Sequence, residues 1–138
     1  MKYKSVLDNV VYLDIETTGL NPINSEIIEI GALKITNSVQ SKLNILIKPI
    51  KEVPIGIYHL CDGLKADDLY KGYTLIEAKR MLIEFIKDLP LICHNKSFEE
   101  SFFSYYFPEV KNSILDSMEL ACILEPSRKN FNVQDLLN

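Results

Sequence analysis

At 138 residues, 47% hydrophobic and 25% charged, the chain is long enough for one domain with its own core and has the composition of a folded, water-facing protein. A net charge of −4 argues against a broad basic surface for duplex nucleic acid, and no apolar run is long enough to span a membrane. Cys61, Cys93 and Cys122 are odd in number and lack C-x-x-C spacing, which argues against a disulfide framework or zinc site and for a reducing cytoplasm.

Residues 1–8 carry positive charge but no apolar segment, so they are not read as a secretory signal. Residues 10–15 read as a buried strand. After a turn at 21–25, residues 26–35 read as a second strand, and the alternation of Leu43, Ile45 and Ile47 makes 41–49 a third. Short connections favour an antiparallel meander. Residues 54–70 read as short helices. Leu75, Ala78, Leu82, Phe85 and Ile86 place a helix over 74–89, opened by a Thr74/Glu77 capping box. Residues 91–93 form a short strand, and 97–107 an aromatic-rich helix stopped by Pro108. A strand at 114–115 ends at Asp116, a helix over 118–124 stops before Pro126, and 133–137 opens one more helix. A meander followed by strand–helix units implies an α/β fold, a mixed sheet flanked by helices.

Within the first strand, Asp14 and Glu16 stand two positions apart, hence on one face. Two adjacent carboxylates in an apolar setting repel each other and resist desolvation. A divalent cation such as Mg²⁺ relieves both costs, and a metal beside an open turn suits phosphoryl-transfer chemistry. Taken alone, D-x-E at a strand end is equally an ordinary pair of acids reaching water. Thr17 and Thr18 add donors, and Gly19 allows a sharp turn or a close backbone approach, which favours the functional reading.

With its second block in view the chain resembles the DnaQ-like (DEDD) 3′–5′ exonuclease superfamily. D-x-E-T-T-G is Asp14-Ile15-Glu16-Thr17-Thr18-Gly19, and its continuation is Glu26-Ile27-Ile28-Glu29-Ile30-Gly31-Ala32. H-N-x-x-F-D appears as His94-Asn95-Lys96-Ser97-Phe98-Glu99, and D-[ST]-x-x-L-A as Asp116-Ser117-Met118-Glu119-Leu120-Ala121. The resemblance implies a ribonuclease H-like fold. It implies a two-metal site for Mg²⁺ or Mn²⁺ held by Asp14, Glu16 and Glu99 with a further aspartate. It also implies in-line displacement at the terminal phosphodiester of a single-stranded 3′ end. Thr17, Thr18, Gly19 and Leu20 would hold the last nucleotide, and His94, Asn95 and Phe98 would line the strand path. Binding would be local, consistent with the acidic charge. Such domains occur alone, beside a polymerase in proofreading, in repair, or fused to a helicase.

Two departures bear on this. Glu99 stands where the family carries aspartate, which moves the carboxylate by about 1.5 Å. The family's third motif, a helix with a histidine or tyrosine and a final aspartate, is expected after residue 137, where the chain ends. The expectation is one exonuclease-like domain over 1–138 lacking that helix, with Asp135 misplaced to substitute for the aspartate. The competing functional reading is a catalytically impaired module that binds nucleic acid or a partner, and DNA is not separated from RNA. Simpler roles compete residue by residue. Ser97 and Glu100 fit a capping box, which would leave Glu99 to favour the helix dipole. His94 suits a structural hydrogen bond and His59 a surface position. Asp116 suits an N-cap, Glu29 a hydrogen bond, and the aromatic cluster mostly core.

Overall fold

The computed structural model describes residues 8–136; the readings of residues 1–7 and of Leu137 lie outside them. Strands β1 (Val10–Thr17), β2 (Ile27–Thr36) and β3 (Val39–Leu46) form the expected antiparallel meander. The third strand starts earlier than its apolar alternation suggests. Asn37 and Ser38 both take positive φ, 51° and 63°, so a two-residue turn lets Thr36 pair directly with Val39. Beyond Leu46 the chain turns away, and Ile47 bridges Tyr73 instead. Strands β4 (Leu91–Cys93) and β5 (Ile114–Asp116) add parallel to β1, giving the order β3-β2-β1-β4-β5. The mixed five-stranded sheet and its flanking helices agree with the α/β, ribonuclease H-like expectation.

Helix α1 is Ile55–Leu60, α2 is Ala66–Tyr70 and α3 is Leu75–Ile86. The Thr74 hydroxyl accepts from the Glu77 N–H and the Glu77 carboxylate accepts from the Thr74 N–H, so the capping box is formed. The helix ends at Ile86 because Lys87 turns to φ 49°, earlier than the apolar spacing implies. Ala78, Leu82 and Ile86 face the main core, where they meet Val11, Leu13 and Ile15 of β1 and Phe102, Phe103 and Phe107 of α4 (Lys96–Tyr106) and its C-cap. Helices α5 (Ser117–Leu124) and α6 (Val133–Leu136) complete the described chain. Among the described residues no helix is long and apolar enough to cross a membrane.

A bulge decides how β2 serves two cores. Glu16 pairs with Glu29 but Thr17 pairs with Ile27, so Ile28 is the extra residue. The alternation reverses there. Ile27 joins Ile30 in the main core, while Ile28 packs with Val53 and Leu69 in a second cluster. That second cluster seats α1 and α2 beside the end of β1.

The start of α4 corrects one expectation. Asn95, at φ 65°, is the N-cap, and the helix begins at Lys96, not after Ser97. Asparagine tolerates the left-handed region better than most residues. The Ser97 hydroxyl donates to the Asn95 side chain, so the Ser97/Glu100 capping box does not form. The aromatic cluster is mostly core, as expected: Phe102, Phe103 and Phe107 are buried and Tyr105 is exposed.

Candidate functional site

Asp14 and Glu16 share one face at the carboxyl end of β1, opposite Gly31 and Glu29 of β2. A side chain at Gly31 would meet nothing within 4 Å, so the space beside Asp14 is open. Glu29 is held by the Asn44 side-chain amide at 2.9 Å, the hydrogen-bonding role expected of it. Burial raises the Asp14 carboxyl above the ordinary carboxylate range, and Glu29 adds to the rise, although Asp14 keeps an open edge to solvent. Burial also raises Glu16, and the charges of Asp14 and Glu29 reinforce it, while a hydrogen bond from Cys61 opposes it. Both carboxylates therefore sit where an added positive charge is favoured.

The turn after β1 is closed by its own hydroxyls. Thr17 donates to the Gly19 carbonyl at 2.6 Å. The Thr18 hydroxyl accepts from the Glu26 N–H at 2.8 Å, and the Thr18 N–H donates to the Glu26 carbonyl at 2.9 Å. The two hydroxyls thus shape the turn, and Leu20 projects from it, 85% exposed. Gly19 allows the close approach of buried Ser25, because a Cβ there would lie 2.5 Å from Ser25 Oγ. Gly19→Ala is expected to lower stability by about 1 kcal/mol, the low end of overpacking costs, because the atom it meets ends a rotatable serine side chain. Adding Ser25→Ala removes the clashing oxygen, so the double variant is expected to recover most of that loss in urea unfolding.

The second wall comes from β4 and α4. The Ser117 hydroxyl donates to the Cys93 carbonyl at 3.2 Å, which leaves it to accept from His94 Nδ1 at 3.0 Å. His94 thus makes the structural hydrogen bond expected of it, and its Nε2 is buried without a partner. Asp116 caps α5 through the Met118 N–H at 2.8 Å, as expected, and also accepts from the N–H groups of Asn95 and Lys96 at 3.0 and 3.1 Å. Burial pushes the Asp116 carboxyl up, but the bonds from Met118, Asn95 and Lys96 outweigh it and hold the group below the usual range. This carboxylate fixes where α4 begins, hence where Glu99 stands. Asp116→Ala is expected to cost about 2 kcal/mol, the worth of hydrogen bonds to a charged acceptor plus a lost N-cap. Hydrogen exchange at the Asn95 and Lys96 amides should accelerate with it.

Glu99 is 2% exposed, and its Oε2 is buried without a partner. Burial pushes its carboxyl up to about 7, and the charges of Asp14 and Asp116 add to the rise. Glu99 is therefore not an exposed dipole partner, whereas Glu100 is exposed. Asn95 is exposed, and Phe98 is half-buried with its ring 5.0 Å from that of Phe102, so Phe98 serves packing. An open groove of about 550 Å³ runs along Tyr12, Asp14, Gly31, Leu33, His94 and Ser117. A second cavity, about 730 Å³ and lined by Ile23, Ile50 and Tyr106, contains none of the predicted site residues.

The donors suit a hard cation: carboxylate oxygens, one of them buried and unpartnered. Among the described residues, however, no three His, Cys, Asp or Glu side chains come close enough to hold an ion as they stand. Asp14 and Glu16 form the nucleus on β1, and Glu99 approaches from α4. One further group at the site escapes sequence reading. The Cys61 thiol lies 3.2 Å from Glu16 Oε2. It carries no local signal, because its partner is distant in sequence.

Residues 11–138 match the family model described as Exonuclease. The DNA polymerase III PolC-type of Caldanaerobacter subterraneus is 35% identical over 132 residues, an overlap of 91% of this chain and 9% of that one. The DNA polymerase III PolC-type of Bacillus subtilis is 29% identical over 136 residues, covering 94% and 9%. The chain thus spans about a tenth of the length of the curated relatives it matches. Among solved structures, E. coli Exonuclease I in complex with a dA16 oligonucleotide superposes with a TM-score of 0.70 at 15% identity, over 94% of this chain and 34% of that one. Apo Exonuclease I gives 0.69 at 15% identity, over 89% and 32%. At that identity the likeness concerns the fold.

Proposed function

We propose that this chain, which belongs to the exonuclease family, is a divalent-metal-dependent domain that removes nucleotides from the 3′ end of single-stranded DNA in a proofreading setting. The reading rests above all on Asp14 and Glu16. They share one face at an open strand end, inside four family motifs that run in register along the chain. Glu99 is the third candidate donor, with its desolvated, unpartnered oxygen and its sensitivity to the charge of Asp14.

A divalent cation held by these carboxylates supplies Lewis-acid charge for hydrolysis of the terminal phosphodiester. Asp14 and Glu16 would hold it as ionised carboxylates. The turn at Thr17–Gly19 shapes the floor for the last nucleotide, and exposed Leu20 offers an apolar edge against its base. In the hydrolysis a water oxygen bonds to phosphorus and gives up a proton, the bond to the 3′ oxygen breaks, and that oxygen takes up one proton in exchange. DNA and a polymerase context are favoured by the PolC-type relatives, which are DNA polymerases by name. No observation favours a fused helicase.

A second reading has one observation behind it: as they stand, no three candidate ligands among the described residues close on an ion. It makes the chain a strand-end or partner-binding module of the same fold. Digestion of 5′-labelled single-stranded DNA and RNA with Mn²⁺, against Glu16→Ala, separates the two. A ladder that depends on Glu16 supports the exonuclease. Oligonucleotide binding with no ladder at any Mn²⁺ concentration supports the binding module.

A further inference from the structure

The α1–α2 segment does more than cover the second core. Ile57, Tyr58 and Leu64 seat it on Ile28 and Val53. The Cys61 N–H donates to the Ile57 carbonyl at 3.0 Å, and the Cys61 carbonyl accepts from the Leu64 N–H at 3.2 Å. The residue is thus pinned through both its N–H and its carbonyl, 5% exposed, at the C-cap of α1. Its side chain leaves this turn toward β1, forty-five residues earlier in the chain, and meets Glu16 Oε2 at 3.2 Å. A carboxylate oxygen only accepts, so the contact is a thiol donating to Glu16.

We propose that Cys61 is a positioning residue for Glu16: its thiol holds one carboxylate oxygen and thereby sets how the other is presented to a divalent cation. The inference rests on the metal-centre reading above. Glu16 lies opposite Glu29 and near Asp14, both of which repel it. Without a donor on Oε2 the side chain is free to swing away from its like-charged neighbours. The thiol supplies an uncharged donor that restrains the carboxylate without neutralising it, so the full negative charge remains for the metal. Outer partners of this kind, when removed, cost about 10–100-fold in metal affinity.

Two substitutions separate the hydrogen bond from the packing. Cys61→Val keeps an apolar side chain in the buried site and loses the donor. Cys61→Ser keeps a donor and loses apolar contact. Mn²⁺ binding to the 138-residue chain, followed by electron paramagnetic resonance, is expected to weaken about 10–100-fold in C61V and to stay near the parent in C61S. Thermal stability should rank the other way, with C61V above C61S. Equal Mn²⁺ affinity in C61V and parent, or equal weakening in both variants, overturns the proposal.

Glu16→Gln in the same titration tests the underlying metal-centre reading. If E16Q and parent bind Mn²⁺ alike, that reading fails. If E16Q weakens binding and C61V does not, only the role of Cys61 fails. The infrared S–H stretch reads the contact without metal. The Cys61 band, identified by its absence in C61S, should move to higher frequency in Glu16→Ala. An unmoved band overturns the hydrogen bond itself.

Discussion

Asp14→Asn is expected to lower exonuclease activity on single-stranded DNA by at least about 10³-fold, because metal charge stabilisation is worth several kcal/mol of barrier. The same change should raise the urea midpoint of the metal-free chain at neutral pH. Burial and the charge of Glu29 raise the Asp14 carboxyl, so its ionised form opposes folding. The neutral amide keeps the shape and removes the repulsion felt by Glu16. A residue retained only for stability would lose on replacement, whereas a ligand is expected to gain stability and lose activity together. Activity in kcat/KM and urea midpoint, measured on one preparation, check both. A D14N chain that keeps its activity, or is destabilised without metal, contradicts the assignment.

Glu99 carries the second large effect, on the dependence of stability on pH. Its folded carboxyl is pushed up to about 7 against an ordinary 4.5, chiefly by burial and then by the charges of Asp14 and Asp116. Between those values the folded chain binds more protons than the unfolded chain, so stability falls as pH rises. The contribution is whole below pH 4.5 and is lost through about pH 7. For a group 2% exposed, this shift corresponds to about 3 kcal/mol. Asp14 and Glu16 are raised as well and tilt stability the same way.

Urea midpoints in EDTA are therefore expected to drop between about pH 5 and pH 8, and Glu99→Gln should remove most of the drop. Mn²⁺ should stabilise the parent more at about pH 8 than at about pH 5, since the ionised carboxylates are the form that binds. Glu99→Asp installs the residue that the motif resemblance implies at this position. It tests whether the extra methylene hinders closure of the three carboxylates around an ion. If so, the E99D chain binds Mn²⁺ more tightly than the parent does. A flat midpoint across the same pH range in EDTA would show that Glu99 is not a buried, unpartnered acid.

Local chemistry is legible residue by residue. Thr74 and Glu77 announce the cap of α3, and Pro108 the end of α4. Periodicity places Ala78, Leu82 and Ile86 on the core face, where they are buried. The Asn37-Ser38 turn escapes sequence reading, because neither residue is glycine and positive φ at both is unusual for such a pair. The N-cap at Asn95 escapes it too, because the bonds that fix the helix start come from Asp116, twenty-one residues later.

The layout of the acids follows from period, spacing and turn chemistry, which act over a few residues. Asp14 and Glu16 are readable as a same-face pair at a strand end, before a turn with Gly19, from strand periodicity alone. A third acid, Glu99, follows a strand that ends at a histidine. The electrostatic state of those acids is not written locally. The bulge at Ile28, the Asp116 clamp on α4 and the Cys61 thiol against Glu16 all join segments far apart in the chain. Desolvation and charge–charge coupling depend on what packs around a group, and that is set by folding rather than by the neighbours in sequence.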